Sequence, residues 1–272
     1  MKVLVTGGNS GIGLALCQQL LLENGCHVIM GSRSLERGRD AIASLALPAD
    51  AAARCTLVQL DTSSDASVAA AKAAVEGPLY GIVNNAGTGL KHGTTGDDVI
   101  NTNLRGPKRV IDAFLPMLDP SKGRIVNVGS GSGPKYIETL GPCPAAKALM
   151  NPTSWEGVEE HAVTHLNAET TTNGGYGLSK ACLAAYTMVL AKQHPNLMIS
   201  VCSPGFILTK MTEGWGATKP PAEGTVAIKH CLFGDLEASG LYYGSDGVRS
   251  PLHFMRNPGE PPYDGVPPPE WS

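Results

Sequence analysis

Short apolar runs alternate with longer segments of helical periodicity along most of this 272-residue chain. Strands that are apolar on both faces, with helices between them, predict a parallel sheet covered by helices on both sides. We therefore expect an α/β, doubly wound Rossmann fold, with one domain built on a seven-stranded parallel sheet. The strand-like runs are KVLVT (2–6), HVIMGS (27–32), CTLVQLD (55–61), LYGIVNNAG (79–87), GRIVNVGS (123–130), LMISVCSPG (197–205) and GLYYG (240–244).

Two long connections interrupt this alternation. Residues 131–173 and 206–222 both follow strand ends, where open α/β sheets bind ligands. Long connections in compact domains are usually functional. We predict one domain over 1–256, with an insert at 131–173 that holds at least one short amphipathic helix, and with 206–222 as a substrate loop. A Pro-rich tail, 257–272, should run extended over the surface.

Composition narrows the possible functions. A net charge of −3 and a charged fraction of 17% give no electrostatic reason to bind nucleic acid or an anionic membrane. The longest apolar runs are too short to span a bilayer, and the first strand starts where a signal peptide would lie. The seven cysteines form no CxxC motif and suit a reducing compartment. We expect a cytoplasmic protein.

The stretch TGGNSGIG (6–13) joins the first strand to the first helix and spaces Gly7, Gly11 and Gly13 as GxxxGxG. Glycines allow a pyrophosphate to approach the backbone, and the helix N-terminus attracts its negative charge. The strand before it and the helix after it favour a dinucleotide site. The alternative is a tight turn that binds nothing.

The end of the second strand, GSRS, predicts which dinucleotide binds. A carboxylate at this place would hold the free 2′-hydroxyl of NAD, but the chain has none there. Arg33 offers a guanidinium that suits a 2′-phosphate, and Ser32 could add a hydrogen bond. The predicted cofactor is therefore NADP(H). The alternative for Arg33 is a solvated surface arginine.

The motifs, taken in order, resemble those of the short-chain dehydrogenase/reductase family over about residues 1–245. After GxxxGxG come NNAG (84–87), NTNLRG (101–106), RIVNVGS (124–130), YGLSK (176–180) and SPGFILT (203–209). The long segment before YGLSK is similar to that of the monomeric carbonyl reductase and of the plant salutaridine and menthone reductase branch. In those relatives the insert covers a helix that otherwise forms the oligomer interface, so the resemblance implies a monomer.

The same resemblance implies a catalytic group. Tyr176 would donate a proton, and Lys180, one helical turn away, would favour the phenolate and lower its pKa. Ser130 would donate to the substrate oxygen, where charge grows in the transition state. Asn103 would hold a water that links Lys180 to solvent. Ser132 is a neighbouring alternative, but Ser130 directly ends the strand.

Other residues are expected around the cofactor. Asp61 has a competing interpretation as part of the cap of the next helix. The set comprises Thr6, Asn9, Ser10 and Ile12 at the phosphates, Asp61 and Thr62 at the adenine, Asn85, Ala86 and Gly87 at the ribose, and Pro204, Gly205, Ile207 and Thr209 at the nicotinamide. Tyr176 and Lys180 are also expected to contact the cofactor, with Lys180 bonded to the hydroxyl groups of the nicotinamide ribose.

The substrate pocket should be formed by the two long connections. Trp155, Met211 and Trp215 are apolar residues in otherwise polar stretches and are predicted to line it, although they could instead pin these loops to the core. Such a lining suits a small apolar ketone, aldehyde or quinone. The predicted reaction is therefore NADPH-dependent reduction of that carbonyl to the alcohol.

Two rival functions fit parts of the sequence. The first is a non-catalytic NADP-binding sensor or scaffold on the same fold. The second is a serine hydrolase that uses GSGSG (129–133), with Ser132, Asp246 and His253 in the chain order of that class. A nucleophile elbow must be followed directly by a helix. The next stretch, GPKYIETLGPCP, contains prolines near both ends, which disfavours a helix there and argues against the hydrolase.

His161 and His165 are four residues apart, a spacing that can bind zinc. No third ligand is evident nearby. An exposed helix face is favoured, and no metal is predicted.

Overall fold

The computed structural model describes residues 1–89, 94–167 and 175–271. Seven parallel strands form one sheet in the order β3-β2-β1-β4-β5-β6-β7, which confirms the predicted Rossmann fold. The strand order reverses direction between β1 and β4. The strands are β1 (Lys2–Val5), β2 (His27–Ser32), β3 (Cys55–Gln59), β4 (Gly81–Asn84), β5 (Arg124–Val128), β6 (Met198–Cys202) and β7 (Tyr242–Tyr243).

Helices cover both faces of this sheet. None of those described is both long and apolar enough to cross a bilayer. The helices are α1 (Gly11–Leu22), α2 (Leu35–Ser44), α3 (Ala49–Ala52), α4 (Asp65–Ala73), α5 (Gly96–Ile100), α6 (Gly106–Phe114), α7 (Ser132–Leu140), α8 (Pro144–Met150), α9 (Trp155–His165), α10 (Tyr176–Gln193) and α11 (Val226–Phe233).

The apolar strands divide their side chains between two cores. Successive residues of a strand point to opposite faces of the sheet. Leu4 and Ile82 belong to the core beneath α4, α6 and α10, whereas Val3, Val5 and Val83 belong to the core beneath α1 and α11. Helices cover both faces of the sheet, and this is why nearly every position in these strands is apolar.

The insert contains more structure than the sequence indicated. Its described part, 131–167, forms α7, α8 and α9, where at least one helix was expected. The expectation that prolines would prevent a helix directly after GSGSG is wrong, because α7 begins at Ser132 and Pro134 lies in its first turn, where a missing N–H costs little. Residues 168–173 of the insert lie outside the described residues.

The insert packs against α10 through close backbone contacts. A Cβ at Gly133 of α7 would lie 3.1 Å from the backbone nitrogen of Ala181, and one at Gly177 of α10 would lie 3.0 Å from the Ser132 carbonyl oxygen. Residues 178–191 of α10 are buried apart from Met188. A helix buried on all sides explains why its sequence is almost uniformly apolar.

The C-terminal tail is irregular for most of its length, as expected, but its end is anchored. Trp271 is 9% exposed, belongs to the core that includes α10, and packs against His253 with ring centroids 5.4 Å apart. The prediction of a tail that only lies over the surface is therefore wrong at Trp271. A single large aromatic side chain buries enough apolar area to hold such a segment.

Candidate active site

The glycine-rich loop between β1 and α1 forms one end of a cleft at the carboxyl edge of the sheet. Gly7 and Gly11 have φ angles of 62° and 52°, in the left-handed region that favours glycine. Gly13 has no room for a side chain, because a Cβ there would lie 2.3 Å from the Gly7 carbonyl oxygen. The loop therefore stays close to α1 and open to the cleft.

Helix α1 begins without a side-chain cap. Ser10 occupies the cap position but makes no capping hydrogen bond, whereas Ser34, Ser64 and Ser154 cap α2, α4 and α9. The first N–H groups of a helix lack partners within it and carry partial positive charge. The uncapped end of α1 fits a bound anion such as the pyrophosphate of a dinucleotide.

Thr6 and Asn85 tie this loop to the end of β4. The Asn85 amide donates to the carbonyl oxygens of Thr6 at 2.9 Å and Gly7 at 3.2 Å. The Thr6 hydroxyl accepts from the backbone N–H groups of Asn85 at 3.0 Å and Ala86 at 2.9 Å. Thr6 is 1% exposed and does not line the cleft. Thr6 was predicted to contact the phosphates, but its side chain instead supports the glycine-rich loop from behind.

Arg33 and Asp61 lie together where the chain leaves β2 and β3, on the same side of the cleft as the glycine-rich loop. Burial alone would raise the pKa of Asp61, but hydrogen bonds from Ser63 and the positive charge of Arg33 outweigh it and lower that pKa. The Ser32 hydroxyl donates to the Ser34 carbonyl at 2.8 Å and is buried away from the cleft. The prediction that Ser32 contacts the cofactor is therefore corrected, because this turn already uses its hydroxyl.

Tyr176 and Lys180 lie on the first turns of α10 and both line the cleft. The Lys180 Nζ lies 5.8 Å from the centroid of the Tyr176 ring and donates to the Val128 carbonyl at 2.8 Å. Burial lowers the pKa of Lys180 to about 8. Burial raises the pKa of Tyr176, and only a hydrogen bond with Ser130 opposes this. That Lys180 lowers the pKa of the phenol during the reaction stays a prediction.

Ser130 follows β5 and faces the same point of the cleft as Tyr176. Its oxygen accepts a hydrogen bond from the backbone N–H of Ser132 at 3.2 Å. A hydroxyl that accepts in this way keeps its own proton for another partner. Ser130 is therefore arranged to donate to an oxygen atom placed between the two hydroxyl groups.

Asn103 is completely buried and does not line the cleft. It lies in a π-helical turn, Asn101–Arg105, between α5 and α6. Its side chain accepts from the Thr88 N–H at 2.8 Å and donates to the Thr88 carbonyl at 2.9 Å and to the Ser179 hydroxyl at 3.1 Å. These contacts position α10 and the segment after β4. That Asn103 holds a water which links Lys180 to solvent stays a prediction.

The segment after β6 closes the side of the cleft near Tyr176. Gly205 has a φ of 87°, which turns the chain away from the sheet. Pro204, Ile207 and Thr209 follow the cleft wall, and Thr209 approaches Gly11 of the glycine-rich loop. These positions agree with the predicted nicotinamide side of the site.

Apolar side chains form the far wall of the cleft. Met211 and Trp215 line it as predicted, together with Phe206. Met211 and Tyr176 both lie beside Gly89, since a Cβ at Gly89 would be 3.9 Å from each of these side chains.

Trp155 is elsewhere. It packs edge-to-face against Tyr186 of α10, with ring centroids 5.0 Å apart, and does not line the cleft. The substrate prediction for Trp155 is corrected to a contact that pins α9 to the core, which was the alternative left open by the sequence.

The cleft has a volume of about 650 Å³ and brings most of the predicted residues together. Its predicted lining residues are Gly7, Asn9, Ser10, Gly11, Ile12, Gly13, Arg33, Asp61, Thr62, Asn85, Ala86, Gly87, Ser130, Tyr176, Lys180, Pro204, Gly205, Ile207, Thr209, Met211 and Trp215. The sequence missed Leu60, Thr88, Gly89, Thr102, Val128, Gly129, Phe206 and Thr212, and it named Ser132 only as an alternative to Ser130. Most of these neighbour a recognised motif, which is the signal that could have found them.

The residues of the rival hydrolase do not form a triad. Asp246 forms an ion pair with Arg256. His253 is 5% exposed and packs against the rings of Tyr263 and Trp271. Ser132 lines the cleft, but neither Asp246 nor His253 does. The relay that would activate a serine is therefore missing from this arrangement.

The His161 and His165 rings stack with centroids 4.1 Å apart on α9. His161 is 8% exposed, so the expected exposed helix face is wrong for this residue. Burial, with a smaller contribution from His165, lowers the pKa of His161 to about 4. No group of three or more metal-binding side chains occurs among residues 1–89, 94–167 and 175–271.

The fold and the cleft define a dinucleotide-binding oxidoreductase. The chain belongs to the short-chain dehydrogenase family, whose profile matches residues 1–169. It is 31% identical to the (+)-neomenthol dehydrogenase of Arabidopsis thaliana over 90% of this chain and 96% of that protein. It is 28% identical to carbonyl reductase [NADPH] 1 of Mus musculus over 81% of this chain and 86% of that protein.

Among solved structures, salutaridine reductase from Papaver somniferum superposes with a TM-score of 0.75 at 25% identity. The match covers 89% of this chain and 99% of that chain. The sequence-based assignment to the short-chain dehydrogenase/reductase family is confirmed, and the protein is an oxidoreductase.

Proposed function

We propose that this protein reduces a small apolar ketone, aldehyde or quinone to the alcohol with NADPH. The observation that carries the proposal is the convergence of the Tyr176 and Ser130 hydroxyl groups in a cleft whose other end is an uncapped helix and a glycine-rich loop. One end fits a dinucleotide and the other fits a carbonyl oxygen.

NADPH bound in this cleft would supply the hydride. Tyr176 holds the proton that the carbonyl oxygen receives as the hydride adds to its carbon, so the products are the alcohol and a phenolate. Ser130 donates a second hydrogen bond to the same oxygen and stabilises the charge that develops there. Lys180, held by the Val128 carbonyl at 2.8 Å, keeps a cation near the phenolate.

The choice of NADPH rests on Arg33. This side chain lines the cleft beside Asp61, and its guanidinium offers several donors in a plane, which suits a phosphate. The similarity to carbonyl reductase [NADPH] 1 of Mus musculus supports the same choice.

Arg33→Ala should weaken NADPH binding about tenfold to a hundredfold, the range expected for losing a charge-assisted hydrogen bond to phosphate. NADH binding should change little, because NADH lacks that phosphate. Fluorescence titration with both cofactors measures this. Arg39→Ala removes the same charge from the exposed side of α2 and is the matched control. Equal NADPH affinity in the two variants would reject the assignment of Arg33.

The substrate class rests on the cleft wall formed by Phe206, Met211 and Trp215, which carries no charged side chain. The similarities to (+)-neomenthol dehydrogenase and to salutaridine reductase support a small organic molecule as the substrate. A panel of monoterpenoid ketones, ketosteroids, quinones and aromatic aldehydes, assayed with NADPH and NADH in parallel, tests the function. NADPH binding without turnover across the panel would favour the non-catalytic alternative.

The protein should be a monomer. Helix α10 is buried on all sides by its own chain, with α7, α8 and α9 packed against it, so it offers no apolar face to a second copy. Sedimentation velocity should give one species near 28.3 kDa across a range of protein concentrations. A stable dimer or tetramer would contradict this prediction.

A further inference from the structure

One hydroxyl group joins the two loops that carry the reacting groups. Ser203 is the first residue after β6, and its hydroxyl oxygen accepts from the backbone N–H of Gly131 at 3.2 Å and from that of Gly205 at 3.2 Å. Gly131 directly follows Ser130. Gly205 belongs to the segment that forms the predicted nicotinamide side of the cleft.

The register of the sheet explains how one side chain reaches both loops. Strands β5 and β6 pair in parallel with Val128 opposite Cys202, so the chain leaves both strands at the same level. Ser203 is 7% exposed, and its backbone N–H donates to the Tyr243 carbonyl of β7 at 2.9 Å. The residue is thus fixed to the sheet while its hydroxyl points to the loops.

The Tyr242 side chain lies beside this hydroxyl. Burial raises the pKa of Tyr242, and its contact with Ser203 opposes that rise. The Ser203 oxygen accepts from two backbone N–H groups at once, which uses both of its lone pairs. A buried hydroxyl that accepts twice in this way holds its two partners in one arrangement.

We propose that Ser203 is a positioning residue that sets the distance between the Ser130 hydroxyl and the nicotinamide side of the cleft. This inference rests on the proposed function. Hydride transfer requires the carbonyl carbon and its oxygen to be placed together, and small displacements reduce the rate steeply. Ser203 does not line the cleft, so the affinity for the cofactor should depend on other residues.

The test uses Ser203→Ala, Ser203→Thr and a matched control, Ser200→Ala. Ser200 is a buried serine of β6, and neither Ser200 nor Ser203 lines the cleft. The two hydrogen bonds from Gly131 and Gly205 go to Ser203. Ser203→Ala should lower kcat by about tenfold or more, with NADPH affinity within about threefold of wild type. The kinetic isotope effect with deuterated NADPH should rise, because hydride transfer becomes slower. Ser203→Thr keeps the hydroxyl and should recover most of the turnover, whereas Ser200→Ala should resemble wild type.

Amide hydrogen exchange gives a readout that does not depend on turnover. Loss of a shared acceptor should speed exchange at Gly131 and Gly205 by about tenfold in Ser203→Ala and leave it unchanged in Ser200→Ala. Unchanged exchange at both glycines overturns the inference, as does faster exchange with an unchanged kcat. If the wild-type protein reduces no carbonyl, the proposed function fails, and exchange at the two glycines still decides whether Ser203 holds the loops.

Discussion

Tyr176→Phe should lower turnover by about a thousandfold, the scale of a general acid in a reaction of this type. The substitution removes only the phenolic oxygen, so the ring still fills its place between the cleft and α7. NADPH binding should persist, because the glycine-rich loop and Arg33 are untouched. Steady-state kinetics with the best carbonyl of the panel, together with fluorescence titration of NADPH, measure the two effects.

The matched control for this variant is Tyr186→Phe. Tyr186 lies on the same helix, is 2% exposed, and packs against Trp155 away from the cleft. It should keep near wild-type turnover. If Tyr176→Phe retained wild-type turnover as well, either another group would supply the proton or the protein would not catalyse this reaction.

Lys180→Met should remove most of the activity and, at the same time, raise the thermal stability of the cofactor-free protein. Burial lowers the pKa of Lys180 from its usual 10.5 to about 8, so the ammonium is costly to bury at neutral pH. A shift of this size corresponds to about 3 kcal/mol. The Val128 carbonyl loses its hydrogen bond in this variant, which lowers the expected gain in the free energy of unfolding by about 1 kcal/mol. Calorimetry should show a Tm several degrees above that of wild type.

The pH dependence of stability provides a second check on Lys180. The folded-state pKa is below the unfolded-state pKa, so the unfolded chain binds the additional proton between about pH 8 and pH 10.5. Wild-type stability should therefore rise through this window relative to Lys180→Met, and the difference between the two proteins should shrink. A lower Tm for Lys180→Met at pH 7 would contradict the assignment of a buried ammonium.

The control for the Lys180→Met variant is Lys192, an exposed residue of the same helix. Its Nζ also donates to a backbone carbonyl, that of Pro152, at 3.1 Å. Lys192→Met should change turnover little. Opposite effects on activity and stability at Lys180 are expected of a functional group that the fold holds at an energetic cost.

The order of strands and motifs was readable from the sequence because it depends on local patterns. Runs that are apolar at consecutive positions predict strands buried on both faces, and spacing along a helix places Tyr176 and Lys180 on one side of α10. The glycine-rich loop was readable because only glycine adopts the positive φ angles of Gly7 and Gly11 easily.

The contacts of Thr6, Asn103 and Trp155 join distant segments of the chain, whereas Ser32 forms its hydrogen bond within its own turn. Ser32, Thr6 and Asn103 have side chains of the right type at the right motif positions, yet their hydrogen bonds are made with the protein backbone or with Ser179. Trp155 is apolar in a polar stretch, but its partner is a tyrosine on another helix. The sequence pattern indicates which side chains tend to be buried, but it does not show which residues they contact.

The sequence by itself determined the fold and the end of the cleft that suits a dinucleotide, because backbone geometry and spacing constrain them locally, and the resemblance to the short-chain dehydrogenase/reductase family predicted Ser130, Tyr176 and Lys180 as the catalytic residues. Only the tertiary structure decided which polar side chains face the cleft and which hold it in place. It also decided the protonation behaviour of Lys180, since desolvation arises only when the surrounding segments pack together. The two hydrogen bonds that Ser203 accepts were also decided by the tertiary structure, because they join two loops that meet only when β5 and β6 pair.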